Sequence, residues 1–149
     1  MKLSKFFTRG FTLPEVLLSV ALLTIIGGMS MPMYRVFMVR DQLDSAATTL
    51  AQNLRRAQSL SRAGSGDMTW GVHVGVGSIL IYKGSNYVLR DSSFDENTSI
   101  PTTIVPTGVN EITFSKVTGV PSATGTFILT SQANETRTIT INEKGMVDY

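Results

Sequence analysis

The sequence predicts an α+β protein: a long N-terminal α-helix packed on a C-terminal antiparallel β-sheet or small β-sandwich. Three observations predict it. Residues 16–34 form an uncharged apolar run, and residues 33 to about 63 carry apolar side chains at helical spacing. From Gly66 onward the texture changes to short alternating segments separated by turn residues. At 149 residues the chain is about one domain's worth.

Composition narrows the class of function. Charged residues make up 16%, below the typical ~25%, and mean hydropathy is +0.14; a disordered, solvating chain is excluded. There is no cysteine and one histidine, His73. That excludes a disulfide framework, a Cys-ligated zinc, a thiol nucleophile and a multi-histidine metal site. The formal charge of +2 is unevenly spread. Lys2, Lys5 and Arg9 give the first ten residues +3, and residues 11–64 carry five arginines against three acids. Residues 65–149 carry five cations against eight acids, net −3. The C-terminal region is therefore a poor electrostatic match for a phosphate backbone.

Val16–Tyr34 is 19 residues without a charge. As a helix it spans about 28 Å, close to a hydrocarbon core of ~30 Å. It has no polar face before Arg35, and the cations ahead of it place the N-terminus in the cytoplasm and the bulk of the chain outside. Two processing schemes compete. An ordinary secretory signal has a basic start, an apolar stretch of ~7–15 residues and a small-x-small cleavage site, for which Gly28-Met29-Ser30 qualifies. Glu15 speaks against that scheme, because a carboxylate at the edge of an apolar segment is costly and marks a function.

The residues around Glu15 supply the other scheme. Arg9-Gly10-Phe11-Thr12-Leu13-Pro14-Glu15 closely resembles the cleavage site of type IV prepilins and type II secretion pseudopilins. It joins a short basic leader, Gly, Phe-Thr-Leu, a Glu at fixed spacing and an apolar run. The resemblance implies that a prepilin peptidase removes residues 1–10 by cutting between Gly10 and Phe11. It further implies N-methylation of Phe11, retention of the apolar segment, and a role in assembly for Glu15, where it meets the N-terminal amine. The alternative for Glu15 is a cap on the helix start, favoured by the helix dipole. Pro14 stands where major pilins commonly have Ile or Val, and it is sterically acceptable because the first N–H groups of a helix lack intrahelical acceptors. Pro32 cannot donate to the carbonyl of Gly28 and, beside Gly27 and Gly28, marks the weakest stretch of the helix. It is either a tolerated kink, since Pro and Gly are common in membrane helices, or, by the resemblance, a helix break used when subunits pack into a filament.

Beyond the membrane segment Leu43, Ala47, Leu50, Leu54, Ala57 and Leu60 follow one helix face. Nothing interrupts the pattern before Gly64-Ser65-Gly66, so the expected helix occupies residues 11–64. Arg55, Arg56 and Arg62 suit the C-terminal end of a helix dipole and an exposed face. In the domain expected over 65–149, strands are predicted at Trp70–Val76, Ile79–Tyr82, Tyr87–Arg90, Ile100–Val105, Ile112–Ser115, Phe127–Thr130 and Thr136–Ile141. Lys83-Gly84-Ser85-Asn86 reads as a hairpin loop and Asn142–Gly145 as a turn into Met146-Val147. The stripe from Leu43 to Leu60 is the expected cover of this sheet. The Trp70-Gly71-Val72 start, the paired hairpins and the closing strand–turn–strand resemble the minor GspH/FimT-type branch of the same family.

No catalytic constellation is legible, and an enzyme is not expected. His73 is opposite in phase to Val72 and Val74, no Ser lies in a strand–G-x-S-x-G–helix context, and no helix follows Gly75-Val76-Gly77. Asp91, Asp95 and Glu96 lack EF-hand spacing and read as an acidic solvent loop; no metal and no cofactor is expected. The resemblance implies a minor pilin or pseudopilin: a structural subunit of a type IV pilus or type II secretion pseudopilus. It would sit in the inner membrane as a single-pass protein with its globular domain periplasmic or extracellular. The implied partners are the prepilin peptidase, other pilins or pseudopilins through the N-terminal helix, and the assembly platform. Two other classes remain: a DNA-binding minor pilin of a DNA-uptake pilus, disfavoured by the net acidic domain and the absence of Arg after Arg137, and a membrane-tethered or secreted enzyme.

Overall fold

A computed structural model describes residues 10–149, except the side chains of residues 29–33 and 35. The expected leader, with Lys2, Lys5 and Arg9, lies outside the described residues but for Gly10. The chain divides into two compact units, Met1–Phe37 and Met38–Tyr149.

The single long helix, α1, runs Leu13–Arg62. Its start is set by Thr12, whose carbonyl accepts from the N–H groups of Glu15 at 3.0 Å and Val16 at 3.1 Å. Thr12 is thus the N-cap, and Pro14 falls in the first turn, where its missing N–H costs no bond. The helix is continuous through position 32. The break that the resemblance implies at Pro32 belongs to subunits packed in a filament, and the Pro32 side chain lies outside the described residues. Losing one donor does not end a helix that has intact bonds on both sides. The helix stops at Gly64, whose φ of 62° is left-handed and whose N–H donates to Ser61 O at 3.1 Å.

Among the described residues no helix is long and apolar enough to cross a membrane. The span expected over 16–34 is therefore not recovered as such. The apolar stretch with described side chains ends at Gly28, and residues 16–28 make only about 20 Å of helix against a hydrocarbon core of ~30 Å.

The Met38–Tyr149 unit holds eight strands: β1 Trp70–Gly75, β2 Ser78–Lys83, β3 Asp91–Ser99, β4 Val105–Gly108, β5 Glu111–Phe114, β6 Gly125–Thr130, β7 Thr136–Ile141 and β8 Val147–Asp148. They form two antiparallel sheets, ordered β3-β2-β1-β5 and β4-β6-β7-β8. Both sheets turn one face to a single core completed by Leu43, Ala46, Ala47, Leu50, Leu54 and Ala57 of α1. The expected packing of the helix stripe on the β-domain is present, with Leu60 partly buried at its end. Val72 lies opposite Ile81 and Ile112 across β1, and Phe127 lies opposite Ile139 across β6 and β7; all five are buried. Along β5, β6 and β7 the alternation of side chains puts one face inward.

Two expected strands are corrected. Tyr87–Arg90 is not the partner of β2: residues 84–90 form a longer loop, and the partner is β3. Ile100–Val105 is not a strand; Ile100 and Ile104 are buried, but the strand is β4, which begins at Val105. The polar segment read as an acidic loop is thus an edge strand, exposed along most of its length. An edge strand with no buried face shows no alternating apolar pattern to read.

Candidate functional site

The residues singled out for processing and assembly cluster at the start of α1. Gly10 and Phe11 precede the helix in non-regular backbone, and Phe11 is 80% exposed. Glu15 is the third helical residue. Its carboxylate reaches back to the Thr12 N–H at 3.4 Å, the reciprocal half of a Thr-x-x-Glu capping box. Glu15 therefore sits at the positive end of the helix dipole. Leu13, Leu17, Leu18, Leu22, Leu23 and Ile26 point around the helix and are all more than half exposed. Ser19 and Thr24 hydroxyls donate to carbonyls three or four residues back, at 2.8 Å from Ser19 to Glu15 O and 2.8 Å from Thr24 to Ala21 O. Ser19 and Thr24 are thereby satisfied by the segment's own backbone.

Several charges of the Met38–Tyr149 unit pair within the unit. Arg56 makes a two-pronged contact with Glu96 of β3 at 2.8 and 2.9 Å. Arg40 pairs with Glu135 at 2.7 Å, and Asp44 accepts from Arg137 at 2.5 Å. Arg55 donates to Val147 O at 3.2 Å and lies over the Tyr149 ring. Arg55 and Arg56 are exposed near the end of α1, as expected, and they also make contacts between α1 and the strands. Asp95, weighed for calcium, is held by Arg90 at 2.9 Å.

His73 lies on the outer face of the first sheet, away from Val72 and Val74. Its ring stacks on Tyr87 with centroids 3.9 Å apart, and the Arg90 guanidinium lies 4.1 Å from the centroid of the Tyr87 ring. Glu111 accepts from the Tyr82 hydroxyl at 2.5 Å and from the Tyr87 N–H at 2.6 Å. These contacts fasten the 84–90 loop over the sheet. Burial lowers the His73 pKa below its ordinary value, opposed by Glu111 and assisted by Arg90. Burial and the Glu111 carboxylate push the Tyr82 hydroxyl far above its ordinary range. Gly71 makes room for this arrangement, because any Cβ there would collide with the Tyr82 ring.

Sequence reasoning missed Ser61 and Gln58. The buried Ser61 hydroxyl donates to Phe114 O and accepts from Trp70 N–H, both at 3.0 Å. Gln58 donates to Gly119 O at 3.0 Å and Lys144 O at 3.2 Å. Both tie the end of α1 to the strands and their loops through partners distant in sequence, so no local signal announces them.

No protein-family model matches the chain, and no curated protein matches it in sequence. The fold itself is pseudopilin-like. Among solved structures the chain is similar to the minor pseudopilin EpsH from the Type 2 Secretion System of Vibrio cholerae, at a TM-score of 0.54 and 11% identity. The similarity covers 72% of this chain and 94% of that chain. At this identity the likeness is one of fold.

Proposed function

We propose that the chain is a structural subunit of a pilus or pseudopilus, of the minor pilin or minor pseudopilin type, and not an enzyme. One observation carries this reading: a prepilin-type Gly10-Phe11 junction leads directly into a helix whose large apolar side chains from Leu13 to Ile26 are about half exposed or more among the described residues. Apolar surface of that extent calls for a lipid or protein environment. The pseudopilin-like fold of the globular unit supports the same reading. In this account prepilin peptidase removes residues 1–10 and Phe11 is methylated. The segment 16–34 then holds the subunit in the inner membrane until it packs against other pilins or pseudopilins at the assembly platform. The globular unit faces the periplasm or the exterior, and Pro32 marks where the helix yields during packing. Binding to DNA is disfavoured, since Arg56 and Arg137 are spent on Glu96 and Asp44.

Glu15 serves assembly by meeting an N-terminal amine, that of a neighbouring subunit. The amine freed at Phe11, with an ordinary pKa of ~7.7–8, is the cation nearest in sequence once Arg9 has been removed. Pairing removes the cost of an isolated carboxylate in a low-dielectric setting.

Intact-mass and N-terminal peptide analysis of the protein from its native membrane tests the reading. The expected product begins at methylated Phe11; a chain beginning at Met31 would establish an ordinary secretory signal instead. Glu15→Gln keeps the shape and loses the charge. It is expected to be cleaved and folded normally yet to fail in co-assembly, measured by crosslinking in the membrane. Normal co-assembly of that variant would reduce Glu15 to a helix cap.

A further inference from the structure

The second sheet ends in an incomplete edge. β8 has two residues and β7 has six, so β8 covers only Thr140 and Ile141. Ladder alternation tells which β7 groups face that side. The Asn142 N–H donates to Met146 O at 3.2 Å, and Thr140 pairs with Asp148. Thr140, Thr138 and Thr136 therefore direct their N–H and C=O groups toward the lane of β8. The opposite side agrees independently. The Ser131 N–H donates to Glu135 O at 2.9 Å, which assigns Arg137, Ile139 and Ile141 to the β6 ladder. Thr136 O accepts from Arg137 Nη1 at 3.0 Å. The N–H and C=O of Thr138 and the N–H of Thr136 have no partner among the described residues.

Beside this edge lies a cleft of about 330 Å³, walled by Ala47 and Thr48 of α1 on one side and Thr136–Thr138 on the other, with Tyr149 at one end. We propose that the cleft is a strand-addition site: it takes an extended, uncharged segment of another protein chain, a few residues long, laid antiparallel to β7 as a continuation of the β8 lane. The segment must be extended because the open donors and acceptors recur every second residue along one side of a strand. It must be uncharged because the charges at the cleft are already paired, Asp44 with Arg137 and Arg40 with Glu135. A further charge would be desolvated without a counter-ion. Alternate side chains of the segment turn toward Ala47 and Thr48, whose small size leaves them space. A second copy of this chain is a poor donor of such a strand: of its edges, β3 carries Asp91, Asp95 and Glu96, β5 carries Glu111, β8 carries Asp148, the open stretch of β7 itself carries Arg137, and β4 contains Pro106, which has no N–H to give.

The test titrates the full chain, ¹⁵N-labelled in detergent micelles, with the blocked peptide acetyl-Thr-Val-Thr-Val-Thr-amide. Saturable amide shifts at Thr136, Thr138 and Thr48 are expected, with slowed exchange of the Thr138 N–H. Thr138→Pro removes the edge-facing donor without touching the β6 ladder, a place where sheets accept proline, and is expected to weaken binding about tenfold. Thr48→Tyr leaves the edge intact and fills the cleft from the helix side; it is expected to weaken binding comparably, and it carries the test if the proline variant does not fold. The proposal fails if the peptide causes no shifts, or if both folded variants bind as the parent does. It also fails if replacing the peptide's valines by aspartate or lysine leaves binding unchanged. Shifts at Thr136 and Thr138 that follow protein concentration without peptide would assign the edge to a second copy and overturn it.

Discussion

The two halves of α1 are both helical, yet they meet opposite fates. From Leu13 to Ile26 the large apolar side chains are 49–76% exposed, whereas Leu43, Leu50 and Leu54 are fully buried. The difference is one of arrangement. In the second half the apolar residues form a stripe, and one face of a β-domain is enough to cover it. In the first half they surround the helix, and no single face of the same chain can cover them all. A stripe is satisfied by folding against one domain, while an all-round apolar helix needs cover on every side.

The largest expected effect comes from deleting the second half. A fragment from Arg40 should fold as a β-rich, cooperatively melting unit. A fragment from Gly64 loses the six helix residues that complete the core and should unfold or aggregate. Equal melting of the two fragments by circular dichroism would break the comparison. Point substitutions sharpen it. Leu54→Ala should cost ~2–5 kcal/mol of domain stability, measured by denaturant unfolding. Leu18→Ala, on the exposed half, should change domain stability by no more than ~0.5 kcal/mol.

A smaller effect belongs to the outer face of the first sheet. Because the folded-state pKa of His73 is depressed, the unfolded chain binds the proton first as pH falls below ~6.5, the ordinary value. The stability linked to His73 is therefore present above that pH and declines as pH falls through it toward the depressed folded value. His73→Phe keeps an aromatic stack on Tyr87 and should flatten that part of the pH–stability curve; an unchanged slope would show that another group is responsible. The smallest effect is expected from Arg40→Ala. Its pair with Glu135 is half exposed on the arginine side, and such pairs contribute ~0–1 kcal/mol, less at high salt. A loss well above that range would mean that the pair anchors the start of the buried half.

Much of this arrangement is legible in the chain. The stripe from Leu43 to Ala57, the helix stop at Gly64, and strands β1, β2, β5, β6 and β7 follow from spacing and turn residues. Glu15 is legible as the third residue after a Thr cap, and its carboxylate reaches the Thr12 N–H. β3 is not legible, because Asp91–Ser99 has almost no buried side chain, and pairing with β2 alone makes it a strand. The 84–90 loop is misread for a related reason. Tyr87 looks like a strand residue by propensity, but its ring is taken by His73, and its N–H by Glu111, 24 residues away.

Periodicity and local chemistry are properties of neighbours in the chain, and they suffice for where α1 begins, which of its faces is apolar and where it stops. Pairings across tens of residues depend on which surfaces meet after folding. Arg56 finding Glu96 and Ser61 reaching Phe114 are of that kind. A hydrogen bond or ion pair needs its partner within about 3 Å, and that proximity exists only once the core has closed.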